Sequence, residues 1–310
     1  MTKRWGDKRY YSLDYYVKKH CGEKLYKIAL NGGMSCPNRD GLLGDRGCIF
    51  CSAGGSGDFA SSPALSVHEQ IVEGKKLVAR KYTGGSYIAY FQAYTNTYAP
   101  VTYLRPLFMA AIKEPDIKIL SIATRPDCLG EEVLSLLSEL NKIKPVWVEL
   151  GLQTIHEGTA NFIRRGYPLA VFDRAVDALH KADIDIIVHT ILSLPHETRE
   201  DMQKTITYLN TKPIQGIKLQ LLHVLKGTDL EIHYRNGDFT LPTMDEYFSI
   251  LSGCLTHLRE DIVVHRLTGD APKHLLVAPL WTADKRQVLN KMNHYLKEHD
   301  IWQGKEWFPS

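Results

Sequence analysis

Seven short runs rich in β-branched and aromatic residues are separated by amphipathic stretches of helical period. The runs are Leu25–Leu30, Tyr87–Gln92, Ile117–Ala123, Val146–Leu152, Ile184–Ile191, Ile214–Leu221 and Ile262–Leu267. The stretches between them include Val67–Lys81, Leu104–Lys113, Glu131–Leu140, Val171–Ala182, Glu200–Asn210 and Met244–Leu258. Spacings of three and four place Val133, Leu136, Leu137 and Leu140 on one helix side. Strands that alternate with helices pair in parallel through right-handed crossovers. Six or seven such units close most economically as a full or partial barrel. An open doubly wound sheet is the rival architecture, but no glycine fingerprint of the dinucleotide-binding type follows the first strand. The sequence thus divides into a basic, aromatic N-terminal arm (1–24), an α/β barrel (25–270) and a C-terminal helical extension (271–310). The extension carries a predicted helix over Thr282–Asp300 and a tail containing Trp302, Trp307 and Phe308. With 44% hydrophobic and 24% charged residues, the 310-residue chain can bury one sizeable core.

A net charge of +3 is too small to identify a partner, but its distribution is uneven. Residues 1–27 carry Lys3, Arg4, Lys8, Arg9, Lys18, Lys19, Lys24 and Lys27 against Asp7, Asp14 and Glu23. Trp5, Tyr10, Tyr11, Tyr15, Tyr16 and Tyr26 are interleaved with them. Cations neutralise phosphates and rings stack on bases, so the arm suits RNA; a solvated arm with a few docked tyrosines accounts for the same residues. No apolar segment at the start resembles a signal peptide, and no run approaches the ~20 residues a membrane helix needs. The expected location is cytoplasmic, where six cysteines point to metal binding or catalysis rather than to disulfides.

Three of those cysteines fall in one segment, Cys36-Pro-Asn-Arg-Asp-Gly-Leu-Leu-Gly-Asp-Arg-Gly-Cys48-Ile-Phe-Cys51, directly after the first predicted strand. Gly41, Gly44 and Gly47 let the loop fold around a bulky group. Thiolates bind both iron–sulfur clusters and zinc. Three cysteines hold three irons of a cubane and leave the fourth open for a substrate or cofactor to chelate. A structural zinc would need a fourth ligand, for which a histidine such as His68 is available. Cys21, Cys128 and Cys254 stand alone and read as buried small residues.

The C-x11-C-x2-C spacing with Phe50 before the last cysteine resembles the radical S-adenosylmethionine (SAM) superfamily, in its branch similar to the Elongator catalytic subunit. The likeness extends to Thr124-Arg-Pro-Asp127, Glu149-Leu-Gly-Leu-Gln153-Thr154 and Lys226-Gly-Thr228, each at or just past a predicted strand end. It is strongest to a bacterial family of about this length. There Cys36–Gly41, Tyr-Thr-Asn-Thr-Tyr (Tyr94–Tyr98) and Leu-His-Val-Leu-Lys-Gly-Thr (Leu222–Thr228) occur together. The resemblance implies a partial (β/α)6 TIM-type barrel with one [4Fe–4S] cluster on Cys36, Cys48 and Cys51 and SAM across the C-terminal mouth. It places the SAM amino group at the carbonyls of Gln92, Ala93 and Tyr94, assisted by Thr95 or Asn96. Gln153 then faces the methionine portion or ribose, Arg165 pairs with the SAM carboxylate, and His189 contacts the ribose. The sequence departs from the pattern at Leu192–Glu197 and Ile163–Tyr167, and carries neither an acetyltransferase-like domain nor a second cysteine cluster.

The implied chemistry is one-electron reduction of SAM by an external donor such as flavodoxin or ferredoxin, giving a 5′-deoxyadenosyl radical that abstracts hydrogen. The implied substrate is tRNA, at the 5-substituent of the wobble uridine, with conversion of 5-carboxymethylaminomethyl to 5-aminomethyl. Lys218, Gln220, His223 and Lys226 are candidate substrate contacts. A radical SAM enzyme acting on a small molecule, or a nonenzymatic zinc-containing RNA-binding protein, are the other readings.

Overall fold

The computed structural model describes residues 3–79, 82 and 84–308. All seven predicted strands form and make one parallel sheet. In chain order they are β1 (Tyr26–Leu30), β2 (Tyr87–Phe91), β3 (Ile117–Thr124), β4 (Val146–Gln153), β5 (Asp185–Leu192), β6 (Gly216–Leu221) and, after the two-residue β7 (Val224–Leu225), β8 (Val263–Arg266). Their spatial order is β1-β2-β3-β4-β5-β6-β8. The sheet therefore keeps two edges and curls as an open half-barrel, with one strand more than the six-unit barrel implied by resemblance. β9 (Leu276–Ala278) pairs antiparallel with β7, tying the C-terminal segment to the loop after β6.

Helices α2 (Val67–Val78), α3 (Val101–Lys113), α4 (Glu131–Asn141), α6 (Leu169–Lys181), α7 (Arg199–Asn210) and α9 (Met244–His257) answer the predicted amphipathic stretches. The predicted end of the first of these, Lys81, lies outside the described residues. The shorter α5 (Glu157–Phe162) and α8 (Asp229–Arg235) fill loops, and α10 (Lys285–Glu298) is the C-terminal helix. Sequence signals set the starts. Ser66/Glu69, Thr198/Asp201 and Thr243/Glu246 form reciprocal capping boxes at α2, α7 and α9.

Side chains alternate across each strand, so the sheet has two unlike faces. Val146, Val148, Leu150 and Leu152 of β4 join the large core under the helices. Trp147 instead points inward, where it meets Ile88, Ile119 and Ile187 from neighbouring strands. These four lie in the N-terminal parts of β2 to β5. Against them packs α1 (Leu13–Cys21), a helix not anticipated within the arm, through Val17, Leu13 and Tyr16. The arm is thus largely docked. Trp5 and Tyr10 are buried, Tyr16 meets Trp147 edge-on, and Val264 N–H donates to the Tyr11 carbonyl at 2.7 Å. Its rings close the barrel floor, while Arg4, Lys19 and Lys24 remain exposed.

Candidate functional site

The C-terminal ends of the strands open into a cavity of about 770 Å³. Cys36, Cys48 and Cys51 all line it, each partly exposed and unbridged. The loop that carries them is wound around Asn38. The Asn38 carbonyl accepts from Gly47 N–H at 2.7 Å, and its side-chain amide donates to the Arg164 carbonyl at 2.7 Å and lies 3.5 Å from Cys48 Sγ. The Arg39 guanidinium donates to the Cys51 and Ser52 carbonyls at 2.9 and 2.7 Å, fixing the far end of the loop. Burial pushes the Cys48 thiol up to about 12 and raises Cys51 as well, with Arg39 opposing the shift at Cys51. Thiols in such a place ionise when a cationic metal group binds them. Among the described residues no three His, Cys, Asp or Glu side chains gather closely enough for one metal ion. A cubane places each thiolate on a different iron, so its ligands stand further apart than those of a single tetrahedral ion. The three thiols around one cavity fit a cluster in donor type.

The segment after β2 borders the same cavity. Gln92, Tyr94 and Thr95 line it; Ala93 and Asn96 are buried behind it. Its amides are anchored, Gln92 to the Leu30 carbonyl, Tyr94 to Gly55 and Thr95 to Ser35, at 3.1, 2.7 and 3.2 Å. Asn96 donates to the Phe91 and Ala123 carbonyls. Tyr94 sits at φ 58° and covers Gly55, itself at φ 56°; a Cβ on Gly55 would collide with the tyrosine ring. Gln153 ends β4 at φ 68°, and its Oε1 is buried without a hydrogen-bond partner among the described residues. An orphaned acceptor on a cavity wall fits the amino or hydroxyl donors of SAM. Arg165 is 2% exposed and donates to the Thr154 and Tyr167 carbonyls and to Glu157, so it braces the wall as well as lining it.

Deeper in the half-barrel the inward positions turn from apolar to charged. Glu149 is completely buried on β4, two residues beyond Trp147. Lys27 Nζ donates to its Oε1 at 2.6 Å and Ser121 Oγ to the same oxygen at 2.7 Å. Lys218 donates to its Oε2, and His189 Nε2 lies 2.6 Å from that oxygen. Lys218 also reaches the Tyr90 hydroxyl at 3.1 Å. Burial alone would raise the Glu149 pKa, but Lys218, Lys27 and His189 hold it well below the usual carboxylate range. Burial lowers Lys27 and Lys218, and brings His189 down to about 4. At neutral pH His189 is therefore an uncharged ring donating Nε2–H to an ionised Glu149.

His189 belongs to this layer through Glu149 and also lines the cavity. Gln220 and His223 line the cavity, Lys218 lies in its buried floor, and Lys226 stands exposed in the turn after β7, outside it. Sequence reasoning gave no role to Tyr90, Ser121 or Arg266, counted Lys27 only among the N-terminal cations and quoted Glu149 only within a motif; all five lie in or beside the charged layer. The available signal was an ionisable residue inside an otherwise apolar strand, as in Val-Trp-Val-Glu149-Leu and Tyr-Lys27-Ile-Ala-Leu. No helix of the described residues is long and apolar enough to cross a membrane.

Residues 43–209 match the family described as the Radical SAM superfamily, and residues 214–298 match the Radical_SAM C-terminal domain. The chain is 42% identical to the uncharacterized protein YtqA of Bacillus subtilis over 96% of its own length and 93% of that protein. It is 23% identical, over 59% of its length, to a tRNA uridine(34) acetyltransferase of Methanocaldococcus jannaschii, of which it spans 33%. Among solved structures, the archaeal Methanocaldococcus infernus Elp3 with an N-terminal deletion superposes with a TM-score of 0.68. That superposition covers 90% of this chain and 64% of the other at 14% identity, and so attests the fold.

Proposed function

Because the chain belongs to the radical SAM superfamily, we propose that it uses the cofactors of that family, one [4Fe–4S] cluster and SAM, to modify the 5-substituent of the wobble uridine in tRNA. When bound, those cofactors supply a 5′-deoxyadenosyl radical able to take hydrogen from an unactivated carbon. Cys36, Cys48 and Cys51 hold the cluster, with Asn38 and Arg39 fixing the loop around it. Gln92, Tyr94 and Thr95 present backbone and side-chain acceptors to the SAM amino group, with Ala93 and Asn96 holding that segment in place. Gln153 accepts from SAM through its orphaned Oε1, and Arg165 and His189 complete the wall. The observation that carries this reading is one shared cavity at the strand ends, faced at once by the three thiols, Gln153 and the segment after β2.

The substrate assignment draws on the named activity of the tRNA uridine(34) relative and on the cations of the cavity floor. In a 5-carboxymethylaminomethyl group, the methylene between nitrogen and carboxylate loses a hydrogen atom. The resulting radical passes one electron to a one-electron iron–sulfur or flavin acceptor and releases the proton on nitrogen, giving an imine. Water then releases glyoxylate and leaves 5-aminomethyluridine. Activity further requires a one-electron donor such as flavodoxin or ferredoxin.

The test is anaerobic reconstitution with iron and sulfide, followed by SAM, dithionite and tRNA bearing the carboxymethylaminomethyl nucleoside. Stoichiometric 5′-deoxyadenosine, 5-aminomethyluridine and glyoxylate are expected. 5′-Deoxyadenosine with an unaltered tRNA would keep the radical chemistry and favour a small-molecule substrate. Aminomethyl product without glyoxylate would refute the imine route.

A further inference from the structure

The charged layer holds more cations than carboxylates. Lys218 lies beside His189 on β5 and Arg266 on β8 in the sheet register. Lys27, Lys218, Arg266 and Lys285 all border the cavity, where Glu149 and Asp270 face them. Arg266 and Lys285 share Asp270 at 3.1 and 2.6 Å, as Lys27 and Lys218 share Glu149. Each carboxylate thus serves two cations, and His189 adds no negative charge. Formally two positive charges in this part of the cavity lack a counter-ion. Burying unmatched charge is unfavourable, and its relief is either loss of a proton or arrival of an anion. Burial chiefly lowers both lysines, and the neighbouring cations, Arg266 at Lys27 and Lys27 with Arg266 at Lys218, add to that pull against Glu149.

We infer that the half-barrel floor between β1, β6 and β8 is an anion subsite that binds the carboxylate of the substrate's 5-carboxymethylaminomethyl group. The inference rests on the wobble-uridine reading and supplies the recognition element it lacks. A nucleotide entering base-first leads with its 5-substituent and leaves its phosphates at the mouth. The group arriving at Arg266, Lys27 and Lys218 is then the carboxylate, and the methylene to be attacked lies behind it, toward the cysteine loop. Product, which has lost the carboxylate, no longer satisfies the excess charge and is released.

The test measures binding to full-length, cluster-loaded protein. One anticodon stem–loop carries 5-carboxymethylaminomethyluridine at the wobble position; a second carries 5-methylaminomethyluridine, which lacks the carboxylate. Wild type is expected to prefer the first about tenfold or more, the scale of one charge-assisted hydrogen bond. Arg266→Gln should erase that preference, and Lys285→Gln, at a more exposed position that tolerates change, should reduce it. Neither should alter affinity for the second stem–loop or retention of SAM in equilibrium dialysis. Equal affinity of wild type for both stem–loops would overturn the subsite and leave the wobble reading standing. Loss of SAM retention in both variants would also overturn it, assigning these cations to the cofactor's own carboxylate. If neither stem–loop binds, N-methylglycine against dimethylamine decides. Preference for N-methylglycine in wild type but not in Arg266→Gln would keep the subsite while the RNA reading falls. No preference would sink both.

Discussion

Two rings of inward-facing side chains lie close together on the same strands, and they are built from opposite chemistry. The lower ring, Ile88, Ile119, Trp147 and Ile187, is apolar and sealed by Val17 and Leu13 of α1. The upper ring, Lys27, Tyr90, Ser121, Glu149, His189 and Lys218, is polar and joined through one buried carboxylate. Trp147 and Glu149 are separated by one residue on β4, as are Ile187 and His189 on β5. In a parallel barrel the N-terminal end is where packing is conserved by energy and the C-terminal end is where loops bring chemistry. The transition between these regimes takes only one step along each strand here, about two residues of rise.

The largest expected effect lies beyond the upper ring. Replacing Cys36, Cys48 and Cys51 together by Ala should reduce 5′-deoxyadenosine, followed by mass spectrometry, to background while thermal unfolding stays cooperative. Retained product would detach the cysteine loop from the cavity chemistry. Next comes the carboxylate. Glu149→Ala leaves Lys27 and Lys218 without their shared counter-ion and should cost roughly 3–5 kcal/mol in denaturant unfolding. A cost below 1 kcal/mol would show the upper ring to be solvated and the contrast between rings overstated. In the lower ring, Ile119→Ala opens a cavity and should cost roughly 2–5 kcal/mol, yet leave SAM affinity at its wild-type value. A change in SAM affinity would mean the two rings are coupled.

The smallest effect is a slope. His189 and His223 are each lowered to about 4, chiefly by burial. Lys218 and Lys27 push His189 further down against Glu149; at His223 Arg266 and Lys285 do so against Asp270. Both histidines protonate near pH 6.5 once unfolded, so between pH 6.5 and 4 the unfolded chain binds more protons than the folded one. Stability is full above pH 6.5 and should fall below it by about 1.4 kcal/mol per pH unit per histidine. His223→Gln should remove one share of that slope in unfolding midpoints measured from pH 7 to 4.5. An unchanged slope would place His223 in contact with water.

Much of this was legible along the chain. Each of the seven strands lies within one residue or so of its apolar run at most ends, because period-two and period-3.6 patterns are written locally. The cysteine loop was legible too, since ligand spacing within sixteen residues needs no tertiary information. Other features were not. The arm's cations and rings fitted either an RNA-binding segment or a solvated arm with a few docked tyrosines; neither reading anticipated that Trp5, Tyr10 and Val17 are buried or that α1 packs against the lower ring. Nothing local distinguishes a ring that stacks on a base from one that packs under a barrel.

What the sequence determined by itself is the alternation of elements, hence a parallel sheet with helices outside, and the cysteine motif at the end of its first strand. Tertiary structure alone decided which charges meet. Lys27, Glu149, His189 and Lys218 come from four strands spread over nearly two hundred residues, and each by itself is an anomaly in an apolar run. Only the curl of the sheet turns their side chains to one side and brings Lys27, His189 and Lys218, with Ser121, onto one carboxylate. A strand fixes which face a residue takes, but the strand order fixes its neighbours.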